Sequence, residues 1–219
     1  MRRVSIAGIW TPKTYDWLAK YYDRLSILFS PTIGHQELSK EMNPGRILDV
    51  GCGTETLLAR ADKNGMTCFG LDTSSGMLNQ ARSKLRNANF IQGSFYNLPY
   101  ANQCFPYVVE SNALGGAQIN VKQALFEMLR VCSTGGERRL ADYTKPTKET
   151  WKQRLLIKIG TIFGDYPIDY TAIFKEFGYK TRTKILEGSG MYQSPHAPTK
   201  PSLTPRRSTR GATKSKGNN

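Results

Sequence analysis

The residues best suited to chemistry lie in one short segment, ILDVGCGTE at residues 47–55. Gly51 and Gly53 follow an apolar run, and Asp72 ends the next apolar run, 21 residues after Gly51. Glycines at such a turn let the backbone approach a ligand closely, and an acid about 20 positions later can accept both hydroxyls of a ribose. The spacing therefore predicts a site for a nucleotide-like cofactor.

The charge of Asp49 narrows the choice of cofactor. A dinucleotide would lay a pyrophosphate over this turn, and a carboxylate two residues before Gly51 would repel it. A ligand that carries an ammonium and a sulfonium but no phosphate is favoured there, and S-adenosylmethionine is such a ligand. The alternative is a structural Asp49 that bonds to nearby backbone.

The elements around this segment alternate between short apolar runs and amphipathic stretches, which is typical of a parallel sheet covered by helices. Ser74 is placed to cap a helix. We predict strands at 46–50, 67–71, 89–92, 107–110 and 139–143, and helices at 55–64, 75–85 and 121–132. A helix at 13–29 precedes this unit, and helices at 149–163 and 170–177 and a strand at 180–187 follow it. One conflict stands out, because Arg138 and Arg139 are unusual in a strand entering a buried sheet.

Five sequence segments resemble a class I S-adenosylmethionine-dependent methyltransferase over residues 45–146: LDVGCGT, GLDTSSGMLNQAR, LPY, ALFEMLRV and the GG pair at 135–136. Two flanking pieces, YDRLS with Gly34-His35 and DYTKP at 142–146, are similar to the ubiquinone/menaquinone biosynthesis C-methyltransferase branch. The resemblance implies a Rossmann-like, doubly wound, mostly parallel seven-stranded sheet. Its last strand, at 190–193, would be short.

The resemblance also implies roles for individual residues. Asp49, Gly51 and Gly53, with Cys52 between the glycines, would hold the methionine portion, and Asp72 would take the ribose. The residues flanking the adenine would be Thr73, Met77, Ser94 and Phe95. Asn112 would lie near the sulfonium and the acceptor. Met77 has a structural alternative, since its position also suits the core.

Three positions depart from the family pattern. Glu55 stands where a third glycine is usual, and a left-handed backbone there would cost ~1 to 2 kcal/mol. Ser94 replaces an acid at the adenine edge, which leaves a neutral hydrogen bond at most. Pro106 replaces an acid at the start of a strand and is acceptable only where its missing N–H faces no partner strand. These changes leave open the alternative that the chain is a weakened or inactive member of the family.

Methyl transfer from a sulfonium needs alignment more than a nucleophilic residue, because the donor is already activated. An acceptor phenol or quinol carbon would still benefit from a general base. We take His35, Asn112 and Tyr143 as the catalytic candidates. Asp23 and Asp142 are alternatives, and His196 falls in the C-terminal tail.

The 219 residues, 39% apolar and 22% charged, with a mean hydropathy of −0.47, suffice for one core of ordinary size. No run approaches a bilayer span, and the segment before Trp10 is too short for a secretory signal. The four cysteines are far apart without a CxxC pair, so we expect reduced thiols, no metal site and a cytoplasmic protein.

The net charge of +14 falls partly on residues 194–219, which hold six cations and no acid. This tail is rich in Pro, Ser and Thr and is predicted to be disordered. We therefore expect a helical lid or cap at 1–44, a cofactor domain at 45–193 and a basic tail.

Three functional hypotheses follow. The first is methyl transfer to a small, lipophilic acceptor such as a quinol or a lipid head group. The second is an RNA-directed methyltransferase that uses the tail. The third is a weakened methyltransferase fold kept as a binding protein. No partner beyond a small molecule and weak polyanion contact is predicted, and the oligomeric state stays open.

Overall fold

The computed structural model describes residues 11–29, 33–116, 119–142, 151, 154, 158, 167–186 and 189–194. The elements along the described chain are α1 (Pro12–Phe29), α2 (Ile33–Leu38), β1 (Arg46–Val50), α3 (Thr56–Lys63), β2 (Thr67–Asp72), α4 (Ser75–Lys84), β3 (Asn89–Gln92), β4 (Phe105–Ser111), α5 (Val121–Val131), β5 (Cys132–Asp142), α6 (Tyr170–Glu176), β6 (Arg182–Leu186) and β7 (Ser189–Ser194).

These strands form one sheet in the order β3-β2-β1-β4-β5-β7-β6. The first five are parallel, which confirms the predicted Rossmann-like α/β sheet, and β7 and β6 extend it antiparallel. Asp49 pairs with Gly70 and Val50 with Leu71, so the carboxyl ends of β1 and β2 lie side by side. Because strand order reverses between β1 and β4, a crevice is expected at this edge of the sheet.

The central strands β1 and β4 are buried on both faces because residues along each strand alternate between two apolar clusters. Leu48 and Val108 join α5 and α6 in one cluster. Ile47 and Val109 join α2 and α3 in the other. These two strands are therefore mostly apolar, and their buried acids, Asp49 and Glu110, lie near the carboxyl ends.

Pro106 lies inside β4 at an irregularity. Phe105 pairs with Cys132 and Tyr107 pairs with Glu137, and the register shifts between them. The proline therefore takes no place in the ladder and loses no strand hydrogen bond. The sequence required that the missing N–H of Pro106 face no partner strand, and the register shift meets this requirement.

The two arginines of β5 are buried, with 2% and 4% of their surface exposed. Arg139 pairs with Glu137, donates to the Leu38 carbonyl at 3.1 Å and to the Lys40 carbonyl, and lies over the Tyr107 ring. Arg138 lies over the Tyr179 ring on the opposite face, 5.2 Å from its centroid. The predicted conflict is resolved for Arg139, which meets an aromatic ring and carbonyl and carboxylate oxygens. It is resolved only in part for Arg138, which donates to the Gly136 carbonyl at 3.4 Å but has a buried Nε without a partner.

The element boundaries differ from the predictions by a few residues at several ends. β4 begins two residues earlier than expected, β5 begins at Cys132 rather than Arg139, and β7 runs to Ser194. Of the predicted helix at 149–163 only isolated residues are described, and Tyr143, His196 and the tail beyond Ser194 lie outside the described residues. None of the described helices is long and apolar enough to cross a membrane.

Candidate functional site

Asp49 is the fourth residue of β1 and lies next to the crevice at the carboxyl edge of the sheet. Only 2% of its surface is exposed, and its Oδ1 has no hydrogen-bond partner. Burial, together with the negative charges of Asp72 and Glu55, raises the pKa of this carboxyl to about 8. A buried acceptor without a partner is rare in a folded protein and marks a place where a ligand can supply the missing donor.

The turn after β1 depends on two glycines in the left-handed region, Gly51 with φ 79° and Gly53 with φ 52°. A Cβ on Gly51 would lie 2.3 Å from the Ala113 Cβ, so the turn packs directly against the loop that follows β4. A Cβ on Gly53 would meet nothing within 4 Å. A side chain at Gly51 would therefore clash with Ala113, whereas the space beside Gly53 is free of protein atoms.

Asp72 ends β2 and binds this turn. Its Oδ2 accepts from the Gly53 N–H at 2.9 Å, and its Oδ1 accepts from the Ser74 N–H at 2.8 Å. Burial raises the pKa of the Asp72 carboxyl, and these backbone donors partly offset the rise. Each carboxylate oxygen can accept more than one hydrogen bond, so capacity for a diol is left.

Glu55 caps the N-terminus of α3 with φ 78° and ψ 16°, and its side chain makes no capping hydrogen bond. The family pattern has a glycine at this position, and the Glu55 backbone adopts the left-handed conformation that glycine favours. Burial raises the pKa of the Glu55 carboxyl to about 7, although the nearby Lys84 ammonium lowers it. Its Oε2 has no hydrogen-bond partner.

Helix α1 lies against this acidic turn. Asp16 accepts from the Ser74 hydroxyl at 2.6 Å and from the Gly76 N–H at 2.7 Å, so it caps the N-terminus of α4. Asp23 accepts from the Thr54 hydroxyl and from the Lys84 ammonium, the latter at 2.5 Å. Sequence reasoning named Asp23 only as an alternative base and missed Asp16, whose seven-residue spacing from Asp23 was the available signal.

The loop after β4 is held by Glu110, which sequence reasoning also missed. Its Oε1 accepts from the Ala113 N–H at 2.5 Å and from the Leu114 N–H at 3.2 Å. Glu110 is fully buried, and burial together with the charge of Asp142 raises the pKa of its carboxyl. An acid within the apolar strand FPYVVES was the available signal.

Asn112 is exposed on this loop with φ 54°, next to the Ala113 that touches Gly51. His35 lies elsewhere, on α2 beside Arg60 of α3, where burial and the arginine charge lower its pKa. Asp142 is buried, and its Oδ2 accepts from the Tyr170 hydroxyl at 2.5 Å. The structure thus brings Asn112, but not His35, to the glycine turn.

The four residues predicted to flank an adenine follow β2 and β3. Thr73 is half-buried, and its carbonyl accepts from the Gln92 side chain at 3.0 Å. Met77 is 2% exposed, as its structural alternative required. Ser94 is exposed, and half-buried Phe95 packs edge-on against Tyr96. Cys52, inside the turn itself, is buried, and burial raises the pKa of its thiol.

The site therefore combines three acids, Asp49, Glu55 and Asp72, around two glycines, with the Lys84 ammonium near Glu55. Two of the acids carry oxygen atoms without a partner. Such a site repels phosphate and suits a cation with a diol. The residues fit S-adenosylmethionine, which offers an ammonium, a sulfonium and a ribose.

Comparison with known proteins places the same region in a family. Residues 47–136 match the family model described as a methyltransferase domain. Demethylmenaquinone methyltransferase of Renibacterium salmoninarum is 37% identical over 105 residues, which cover 48% of this chain and 44% of that protein. The Listeria welshimeri protein of the same name is 30% identical over 156 residues, covering 64% and 65%. The chain thus spans less than two thirds of the length of these curated relatives.

Solved structures support the fold. A putative methyltransferase from Haloferax volcanii, in complex with its Trm112 activator, superimposes with a TM-score of 0.68 at 17% identity, covering 83% of this chain and 97% of that one. DhpI in complex with SAH superimposes with a TM-score of 0.68 at 15% identity, covering 89% and 98%. The matched model identifies residues 47–136 as a methyltransferase domain of the class I, S-adenosylmethionine-dependent type, and the solved structures show that the chain shares its fold.

Proposed function

We propose that the chain binds S-adenosylmethionine at the turn after β1 and transfers its methyl group to a small, lipophilic acceptor of the quinol class. The observation that carries the proposal is Asp49, a buried carboxyl whose Oδ1 has no protein partner and which is surrounded by other acids. A cation is the ligand that satisfies this oxygen and offsets the repulsion.

Each part of the cofactor has residues to hold it. Asp49 and the turn of Gly51, Cys52 and Gly53 would hold the methionine portion, and Asp72 would accept the ribose hydroxyls. The adenine would lie among Thr73, Ser94 and Phe95, with Met77 supporting it from the core. When bound, the cofactor supplies an activated methyl group for an in-line displacement.

The chain itself has to align the acceptor with that methyl group. Glu110 fixes the loop at 112–114 through two backbone donors, and the loop packs on Gly51. Asn112 is exposed on this loop and is placed to orient an acceptor hydroxyl. Alignment of this kind accounts for up to ~7 to 11 kcal/mol of the barrier in well-oriented reactions.

The acceptor class rests on two supports. The curated relatives are named demethylmenaquinone methyltransferases, which suggests a quinol-type acceptor. Half-buried Tyr15, Leu18 and Tyr22 of α1 offer apolar surface beside the glycine turn, so α1 would act as part of a lid. Asp142, the last residue of β5, and Tyr143, the next residue in the sequence, stay candidates for a base, whereas His35 is the weaker one because it lies on α2.

The experiment is a transfer assay with methyl-labelled S-adenosylmethionine and a panel of a short-chain reduced naphthoquinol, a benzoquinol, phosphatidylethanolamine vesicles and total RNA. We expect label in a quinol, and loss of that label in Asp49→Asn. Asp62→Asn, an acid on α3 outside the site, is the matched control and should keep activity. Label in RNA alone would overturn the acceptor class. Binding without transfer to any acceptor would favour a weakened copy, for which the strained Glu55 backbone is the supporting observation.

A further inference from the structure

Two large aromatic side chains stand out from the surface of α1. Trp17 is 71% exposed and Tyr21 is 55% exposed, one helical turn apart. Among the described residues, the other large exposed hydrophobic side chains are Ile91 and Trp151. An exposed Trp and Tyr on one helix face are costly in water and need an explanation beyond scattered surface hydrophobicity.

The same face carries the cations of the helix. Lys13, Lys20 and Arg24 are exposed, and at 100° per residue they fall with Trp17 and Tyr21 within one arc of the helix. We call these five residues the outer face of α1. The face joins three positive charges to two aromatic rings.

The acids of α1 are engaged elsewhere. The helix contains two of them, Asp16 and Asp23. Asp16 caps α4, and Asp23 binds Thr54 and Lys84 at the glycine turn. The outer face therefore has a net positive charge that its own helix does not neutralise.

We propose that the outer face of α1 docks on the surface of an anionic lipid bilayer. Trp and Tyr favour the boundary between head groups and acyl chains, while Lys and Arg reach the anionic head groups. The helix lies along such a surface rather than crossing it. The net charge of +14 adds long-range attraction to the same surface.

This docking would place the glycine turn near the bilayer, since Asp16 and Asp23, on the flank of the outer face, contact α4 and that turn. A lipophilic acceptor could then pass from the bilayer to the site without crossing water. This benefit of docking rests on the proposed function. The docking itself does not depend on methyl transfer. The test measures only binding to vesicles, so a negative result would say nothing against the cofactor site or the proposed acceptor.

The test must separate α1 from the basic tail, which also attracts anionic lipid. The 219 residues include three tryptophans, at positions 10, 17 and 151, so Trp10→Phe with Trp151→Phe leaves Trp17 as their only tryptophan reporter. We expect its emission to shift to the blue on vesicles of phosphatidylcholine with phosphatidylglycerol, and to be quenched by brominated acyl chains. Vesicles of phosphatidylcholine alone should give little change. Binding to the anionic vesicles without quenching of Trp17 would overturn the proposal, because the tail would then account for the attachment.

A second set of variants does not rely on tryptophan replacement. Lys13→Glu with Lys20→Glu and Arg24→Glu should weaken partition to the anionic vesicles by about tenfold or more. Lys63→Glu with Lys175→Glu and Lys180→Glu changes the net charge equally at exposed sites on other elements and should weaken it by about threefold or less. Equal losses in the two sets would contradict docking through α1. Binding of RNA that the α1 set abolishes, with no effect on vesicles, would assign the face to nucleic acid instead.

Discussion

Two regions of the sheet bury an ionisable side chain, β5 and the end of β1, and they differ in how many hydrogen-bond partners they provide for it. In β5, the Arg139 guanidinium is 4% exposed and is bonded to the Glu137 carboxylate and to the carbonyls of Leu38 and Lys40. Near the end of β1, Asp49 is 2% exposed and has an oxygen without a partner, and burial together with two neighbouring acids raises its pKa. The chain satisfies the charge of Arg139, whereas it leaves Asp49 without a full set of partners, and the raised pKa keeps that carboxyl protonated below about pH 8.

The difference separates structural charge from functional charge. A buried ion whose hydrogen bonds are complete holds the fold together, and removing it leaves its partners uncompensated. A buried ion that lacks partners costs stability in the free protein and is retained where a ligand completes it. Arg139 and Asp49 should therefore respond to substitution with opposite signs of stability change.

The largest effect is expected for Arg139→Leu. Removing the guanidinium leaves the Glu137 carboxylate and two carbonyls without donors, so the free energy of unfolding should fall by about 3 to 5 kcal/mol. Urea unfolding followed by circular dichroism measures the change. Lys122→Gln, which breaks the exposed pair between Lys122 and Glu176, is the matched control and should change stability by about 0.5 kcal/mol or less. If Arg139→Leu lowered the free energy of unfolding no more than the control does, the contrast between β5 and the end of β1 would be wrong.

Asp49→Asn should weaken S-adenosylmethionine binding by about 100-fold, which corresponds to ~2.7 kcal/mol. The same change should raise stability at pH 8. The Asp49 pKa is raised to about 8 in the folded protein, so this group destabilises the fold as pH rises towards that value, and the neutral amide removes the penalty. Titration calorimetry and thermal unfolding read the two effects. Loss of stability together with unchanged affinity would make Asp49 a structural residue.

A smaller effect is expected for Glu55→Gly. The left-handed backbone at φ 78° costs a non-glycine residue ~1 to 2 kcal/mol, and part of the gain from glycine is offset by its greater freedom in the unfolded chain. We expect a net gain of about 1 kcal/mol in unfolding free energy, measured by urea unfolding. Gln103→Gly, at an exposed left-handed position with φ 55°, tests the backbone contribution without a buried carboxyl. Destabilisation by Glu55→Gly would mean that the side chain contributes more than its backbone costs.

The sequence predicted the sheet well where apolar runs are uninterrupted. The bounds of β1 and β3 agree with the prediction, and Ser74 caps α4 as expected, its hydroxyl accepting from the Met77 N–H at 3.1 Å. β5 was placed too late because Glu137, Arg138 and Arg139 lowered the apolar signal. Glu137 is close to Arg139 in sequence, but the Leu38 carbonyl and the rings of Tyr107 and Tyr179 are distant, so no local pattern could show how these charges would be accommodated.

The candidate site was predictable in its centre but not at its margins. Asp49, Asp72 and the glycines share one local motif, and β1 and β2 are neighbours in the sheet, so spacing alone placed them together. Glu110 and Asp16 act through contacts with loops and helices whose position depends on tertiary packing. The role assigned to each of these residues stays a prediction until binding is measured.

The most direct test of the acidic turn is the number of protons released when S-adenosylmethionine binds. A bound cation favours the ionised form of Asp49, whose pKa is about 8 in the free protein, so binding at pH 6.5 should release about one proton and affinity should rise with pH towards 8. Calorimetry in two buffers of different ionisation enthalpy measures this number. The account predicts a release near one proton in the natural chain and a clear reduction in Asp49→Asn. Binding without proton release, identical in both proteins, would contradict it.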